Sequence, residues 1–159
     1  PPQVRKLRLP DQFVYRKCYR SDSIAEKTVL LRNTALEAMR AYGTDTTRRM
    51  YFIEYSINAP LEAAFCVAVP PGSKGEFVTL LPPTDVLSIY YHGAYENLPT
   101  VGQRLLEYAA EHHFSPRGTL RHIYLEGPPQ HKDPSKFITQ VVLPIEDADE
   151  NMAGKYKMV

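Results

Sequence analysis

The chain has 159 residues, enough for one domain or two intimate halves of one, and enough to bury about two thirds of its surface without staples. Apolar residues make up 43% and charged residues 23%, the balance of a globular domain, so a disordered or fibrous chain is excluded. Lys and Arg number 19 against 18 Asp and Glu, which speaks against a whole-domain electrostatic grip on nucleic acid, and no apolar run reaches the roughly 18 residues of a membrane span.

The chain opens Pro1-Pro2-Gln3, without a Met and without the basic and apolar regions of a signal peptide. It is expected to have been trimmed from something longer. Residues 3–20 read as a strand, a break at Pro10-Asp11, and a second strand. In the second, Phe13, Tyr15 and Lys17 alternate against Val14, Arg16 and Cys18, so the stem of Lys17 shares a face with rings. Ser21-Asp22-Ser23 with Glu26 resembles a capping box. From there Ile24, Thr28, Leu31, Ala35, Met39 and Tyr42 recur every three or four residues, an amphipathic helix that Gly43 ends. Residues 48–57 (RRMYFIEYSI) form an aromatic-rich strand, Asn58-Ala59-Pro60 a turn, and Ala63–Val69 a short buried strand. Cys18 and Cys66 lie in strand runs and are expected as reduced, small apolar residues. Two cysteines are too few for a disulfide framework or a zinc site.

Residues 70–75 (PPGSKG) punctuate the middle of the chain. The second half then repeats the order: strand 76–81, break at Pro82-Pro83, strand 85–92, and a helix capped by Asn97 or Thr100, with Pro99 in its first turn. The apolar face of that helix is Val101, Leu105, Tyr108, Ala109 and His112, and Gly118 follows its end. Strand 119–126, a turn at Gly127-Pro128-Pro129 and strand 137–145 complete the half, and 146–159 is a polar tail. Tyr19 and Tyr91 end strands before helices 72 residues apart, and Pro70 and Pro144 close the final strands 74 apart. The unit is used twice, about 3–70 and 75–145. Two such units pair across a pseudo-twofold axis as one antiparallel sheet with two helices on one side, an α+β domain spanning 1–145.

The segment Tyr91-His92-Gly93-Ala94-Tyr95-Glu96-Asn97-Leu98-Pro99, followed by Leu105-Leu106-Glu107-Tyr108, resembles the strand-to-helix junction of GyrI-like effector-binding domains. The segment Ile123–Pro128 and then Val141–Ile145 resembles their closing hairpin. The resemblance covers most of residues 3–145. It implies the SOUL/GyrI-like fold: two βαββ-type repeats with a central cleft that takes bulky, flat, often cationic molecules. Such domains serve as ligand sensors behind MerR-type and AraC-type DNA-binding heads, or stand alone as gyrase-inhibitor proteins. On this reading the chain is the effector domain of a cytoplasmic, MerR-type multidrug-sensing regulator. It is homodimeric in its parent, is not an enzyme, carries no cofactor or metal, and contacts DNA only through a domain absent here. The alternative is a standalone GyrI-like protein that binds a protein partner or hydrolyses a reactive small molecule. Parent length discriminates: about 270 residues for the regulator, about 160 for the standalone form. A haem-binding relative is disfavoured, because no histidine stands on an apolar helix face as an axial ligand.

There are 11 Tyr and 6 Phe, and Tyr51, Phe52, Tyr55, Tyr90, Tyr91, Tyr95 and Tyr124 cluster in strands or at strand–helix junctions. Such rings either fill the core or line a pocket for a flat guest. Tyr91 matches the pocket-lining aromatic that the resemblance implies, and alternation puts it with Leu87 and Ile89. His122 stands where cation-sensing relatives carry a glutamate two residues before the strand tyrosine that matches Tyr124. A neutral imidazole there offers a single hydrogen bond, while a protonated one repels a cation and favours an anion. It can equally be a core-edge residue bonded to a backbone carbonyl. Two carboxylates could substitute as counterions. Glu54 faces solvent, pairs with Arg48, Arg49 or Arg121, or is kept for a ligand. Glu126 shares the face of His122 and Tyr124 by period two. His112-His113 is a poor chelate, since neighbours on a helix diverge by about 100°, and His131 lies in a solvated turn. No nucleophile elbow is present.

Overall fold

Proline supplies no N–H to a ladder, so Pro10 and Pro82-Pro83 fix where the first strand of each half stops. The computed structural model describes residues 3–147. β1 (Arg5–Leu9) and β2 (Gln12–Arg20) flank the first break, and β5 (Val78–Leu81) and β6 (Thr84–His92) flank the second. Helix α1 (Ile24–Tyr42) starts where the Ser23 hydroxyl accepts the Glu26 amide at 3.1 Å. It stops at Gly43, whose φ of +84° only glycine adopts freely. β3 (Tyr51–Ser56) and β4 (Glu62–Ala68) close the first half.

In the second half a 3-10 turn (Tyr95–Asn97) leads into α2 (Leu98–Glu111), and β8 (Thr119–Glu126) and β9 (Ile138–Asp147) follow. Asn97 takes the capping position, but its side-chain amide donates to the Tyr91 hydroxyl at 2.9 Å instead of capping. Two details depart from the sequence reading. A short strand, β7 (Phe114–Pro116), pairs with the end of β9, and β9 runs on through Glu146 and Asp147, the first two residues of the expected tail. The rest of that tail, residues 148–159, lies outside the described residues.

The main sheet is antiparallel in the order β1-β6-β9-β8-β3-β4-β2-β5, with β7 beside β9. Exchanging β1 with β5, β2 with β6, β3 with β8 and β4 with β9 reproduces this order reversed. The twofold relating the halves therefore runs between β3 and β8. The sheet also has to curl. β1 and β2 are six strand spacings apart in the order, about 29 Å if flat, yet two residues join them, a reach of at most about 11 Å. β5 and β6 meet the same constraint.

Curling gives the sheet an inner and an outer face, both apolar. The inner face packs Val14, Phe52, Ala64, Cys66, Val86, Ile123 and Val142. Burial pushes the Cys66 thiol up to about 12, consistent with an inert core residue. Both helices lie on the outer face. Beneath α2 are Leu87, Ile89, Val141 and Leu143, into which the helix sets Leu98, Leu105 and Ala109. Gly102 brings α2 close, since a Cβ there would stand 3.1 Å from a Leu120 methyl. Beneath α1 are Tyr15, Val67 and Val69, with Ile53 and Phe65 alongside. α1 buries only Thr34 and Ala38 fully.

Candidate functional site

The two helices do not meet over the centre of the sheet. Between them lies a cleft of about 1110 Å³, floored by the central strands β3 and β8 on either side of the twofold. The floor is Ile53 and Tyr55 from β3 with Leu120, His122 and Tyr124 from β8. One wall is the stripe Ile24, Lys27, Thr28, Leu31, Ala35 and Met39 of α1, and the other is Tyr95, Leu98, Pro99 and Leu106. Residues 127–130 and Pro60 frame it further. The apolar stripe that the spacing of α1 predicts as a core face is thus largely a cleft wall. This explains why Met39 is 46% exposed and Ile24 36%.

The rings form one continuous arc. Tyr95 stacks on Phe137 with centroids 5.0 Å apart and meets Tyr124 edge-on at 5.4 Å. The Tyr124 and Tyr55 hydroxyls share a hydrogen bond, and burial first, then Tyr55, raises the Tyr124 hydroxyl well above its ordinary range. Burial alone takes Tyr95 up to about 12, so both phenols are neutral donors and acceptors. Tyr55 in turn lies 4.8 Å from the His122 ring, and the Lys27 ammonium sits 5.0 Å over the Tyr55 face.

His122 is the polar centre of the floor. Its Nδ1 is shut away from solvent with no hydrogen-bond partner, while part of the ring forms cleft surface. Desolvation, with a smaller push from Lys27, brings its pKa down to about 4, so the imidazole is neutral at pH 7. The backbone-carbonyl partner considered for it from sequence is not there.

Of the residues singled out from sequence, the structure brings Tyr51, Tyr55, Tyr95, His122 and Tyr124 together on the cleft, while Tyr90 is exposed and accepts from Arg49 at 3.2 Å. Phe52, Glu54, Glu126 and Tyr91 also lie elsewhere. Phe52 and Glu54 point to the inner face, because in β3 the odd-numbered positions face the helices. Glu54 accepts from Arg121 Nε at 2.5 Å, and the Arg121 guanidinium lies 5.3 Å over the Phe52 ring. Of the three fates open to Glu54, pairing with Arg121 is the one observed. Glu126 does not share the face of Tyr124. A bulge between these two residues breaks the alternation, so Leu125 joins the lining and Glu126 bonds His131 Nε2 at 2.7 Å. Tyr91 does keep company with Leu87 and Ile89, as alternation requires, but it packs under α2 and is not among the residues lining this cleft.

Lys27 was not singled out from sequence. The available signal was its place one turn before Leu31, Ala35 and Met39, inside the apolar stripe. Elsewhere, His112 stacks on Tyr108 at the end of α2, its Nδ1 2.9 Å from the Tyr108 carbonyl, and no group of three metal-ligating side chains is found among the described residues. No helix among them is long and apolar enough to cross a membrane.

No family model and no curated protein matches the chain. Solved structures do. The EcmrR C-terminal domain superposes with a TM-score of 0.82 at 21% identity, over 92% of this chain and 98% of that one. EcmrR in its DNA-bound transcription complex gives 0.81 at 20% identity, over 92% of this chain but 58% of that longer chain. SAV2435, solved bound to tetraphenylphosphonium, gives 0.59 at 10% identity over 94% and 96% of the two chains. A hydrolase from Listeria innocua also gives 0.59, at 11% identity over 91% and 92%. The chain has the α+β fold of the EcmrR C-terminal domain, the fold expected of a GyrI-like effector-binding domain.

Proposed function

We propose that this chain is the ligand-sensing domain of a MerR-type, cytoplasmic transcription regulator, and that it takes a bulky, flat aromatic molecule between α1 and α2. DNA is contacted through a separate domain, and dimerisation belongs to the parent protein. The cleft itself carries this reading. It has the volume of a small-molecule site, is walled by a continuous arc of rings, and sits on the twofold where both halves contribute. The likeness to EcmrR, whose longer chain is seen on DNA, supports it. The floor also reads as a binding surface more than a catalytic one, because no hydrogen bond among the described residues joins His122 to a carboxylate or a nucleophile.

The test is a thermal-shift panel of cationic, neutral and anionic aromatic dyes on the chain. A ligand at a hundredfold excess over Kd stabilises by about 2.7 kcal/mol, and that shift should shrink in Tyr55→Ala and Tyr95→Ala. An Ala35→Trp variant fills the cleft from the α1 wall and should abolish it. A panel with no shift for any dye, or a shift that Ala35→Trp leaves intact, overturns the proposal.

A further inference from the structure

The charge of the guest can be argued from the same cleft, an inference that rests on the ligand-sensing reading above. The charged residues lining the cleft are Asp22, Lys27, Arg32, Glu96 and, when protonated, His122. Asp22, Arg32 and Glu96 are exposed, where solvent and salt screen them. Lys27 is half-buried, lies against the floor, and has no carboxylate partner among the described residues. Without a carboxylate of the protein beside it, that ammonium leaves its charge for a guest to pair. Its ammonium also occupies the π-face of Tyr55, the face that an incoming organic cation would use.

His122 adds a donor. With Nδ1 closed off and unpartnered, the tautomer that leaves only a lone pair at that position places the proton on Nε2, and the ring's accessible surface is cleft surface. The Tyr55 and Tyr124 hydroxyls, which share one hydrogen bond, leave one further phenol proton to donate at the edge of this apolar hollow. No carboxylate reaches this floor, since Glu54 is on the inner face with Arg121 and Glu126 is turned aside with His131.

We infer that the cleft selects an aromatic anion, an aryl carboxylate or an equally flat aryl sulfonate or phenolate, with its rings on the tyrosine arc and its charged group between Lys27 and His122. An organic cation of the same size is disfavoured twice, by like charge and by competition for the Tyr55 face.

The experiment uses three probes with one ring system: 2-naphthoate, 2-naphthylmethanol and 2-naphthyltrimethylammonium, titrated calorimetrically into the chain. Naphthoate is expected to bind about tenfold more tightly than the alcohol, with the cation weakest. Lys27→Met should bring naphthoate to the level of the alcohol while moving the alcohol less than twofold. His122→Glu should reverse the ranking, and if that variant does not fold, Lys27→Met alone decides. If the cation binds most tightly, if all three bind alike, or if Lys27→Met leaves the ranking unchanged, the charge inference is overturned and the cleft remains a ligand site. If none of the three binds while a dye of the thermal-shift panel does, the charge inference is overturned and the ligand-sensing reading stands; if no dye binds either, both fall.

Discussion

The two halves use one plan, but their helices are attached differently. α2 is short, carries a glycine at its closest approach, and sinks Leu98, Leu105 and Ala109 into the sheet. α1 is five residues longer and buries only Thr34 and Ala38, while Val29, Leu36 and Met39 stay more than 40% exposed. A duplicated unit thus gains an open cleft by loosening one helix while the other seals its half of the core. The largest expected effect breaks this comparison directly. Leu105→Ala should cost about 3 kcal/mol, the range for a fully buried leucine, whereas Met39→Ala should cost under about 1 kcal/mol. Urea unfolding measures both, and equal losses would mean that α1 is as firmly packed as α2.

A second contrast lies across the sheet, at the same strands. On the outer face the β3–β8 register sets Ile53 against His122. On the inner face it sets Glu54 against Arg121, with side chains 17% and 11% exposed. Removing one partner strands the other charge, so Glu54→Ala should cost about 3 kcal/mol, while the double replacement Glu54→Leu with Arg121→Met should recover most of it. Ligand affinity should change less than twofold in the double variant, because the pair is not on the cleft. A matching loss of affinity would place Glu54 back among the binding residues.

This contrast also shows where the sequence stops being legible. The duplication, both proline breaks, the cap at Ser23 and every element but β7 carry local signals, and the structure has them. The face of β3 that looks toward the helices carries none. Phe52 and Ile53 are both about 1–2% exposed, because the curled sheet is covered on both sides, so alternation cannot say which side is the cleft. The bulge that turns Glu126 away is a property of the pairing of β8 with β9 and leaves no trace in period two. On α1 the same periodicity that announces a buried stripe also describes a wall open to a guest.

The neutral histidine gives a smaller effect with a definite sign. The folded pKa of His122 is depressed to about 4 from an ordinary 6.5, so the unfolded chain takes up the proton first. Stability from this group is whole above about pH 6.5 and is lost as pH falls toward about 4, by up to about 2 kcal/mol within that window. The groups facing the ring are the Lys27 ammonium and the Tyr55 and Tyr124 phenols, with the Tyr124 hydroxyl held well above its ordinary range by burial. Wild-type stability should therefore fall more steeply between pH 6.5 and 4.5 than that of His122→Gln. Parallel curves would mean that the ring is protonated freely in the folded state.

The smallest effect concerns what does hold α1. The Glu37 carboxylate accepts from the Tyr15 hydroxyl at 3.0 Å and pairs with Lys17 at 2.7 Å, tying the helix to β2 through polar contacts where α2 uses apolar ones. The Lys17 hydrogen bond holds the Glu37 carboxyl below its usual range, so the clamp is intact above about pH 4.5 and opens in acid. It is partly exposed, and Glu37→Gln should cost no more than about 1 kcal/mol overall. Its local effect should be larger than its global one. Amide hydrogen exchange should speed up along α1 and stay unchanged along α2, because α1 fully buries few side chains of its own and its opening need not involve the second half. If exchange rises equally in both helices, then α1 opens only with the whole domain, and the cleft is a rigid slot whose wall cannot yield to admit a guest.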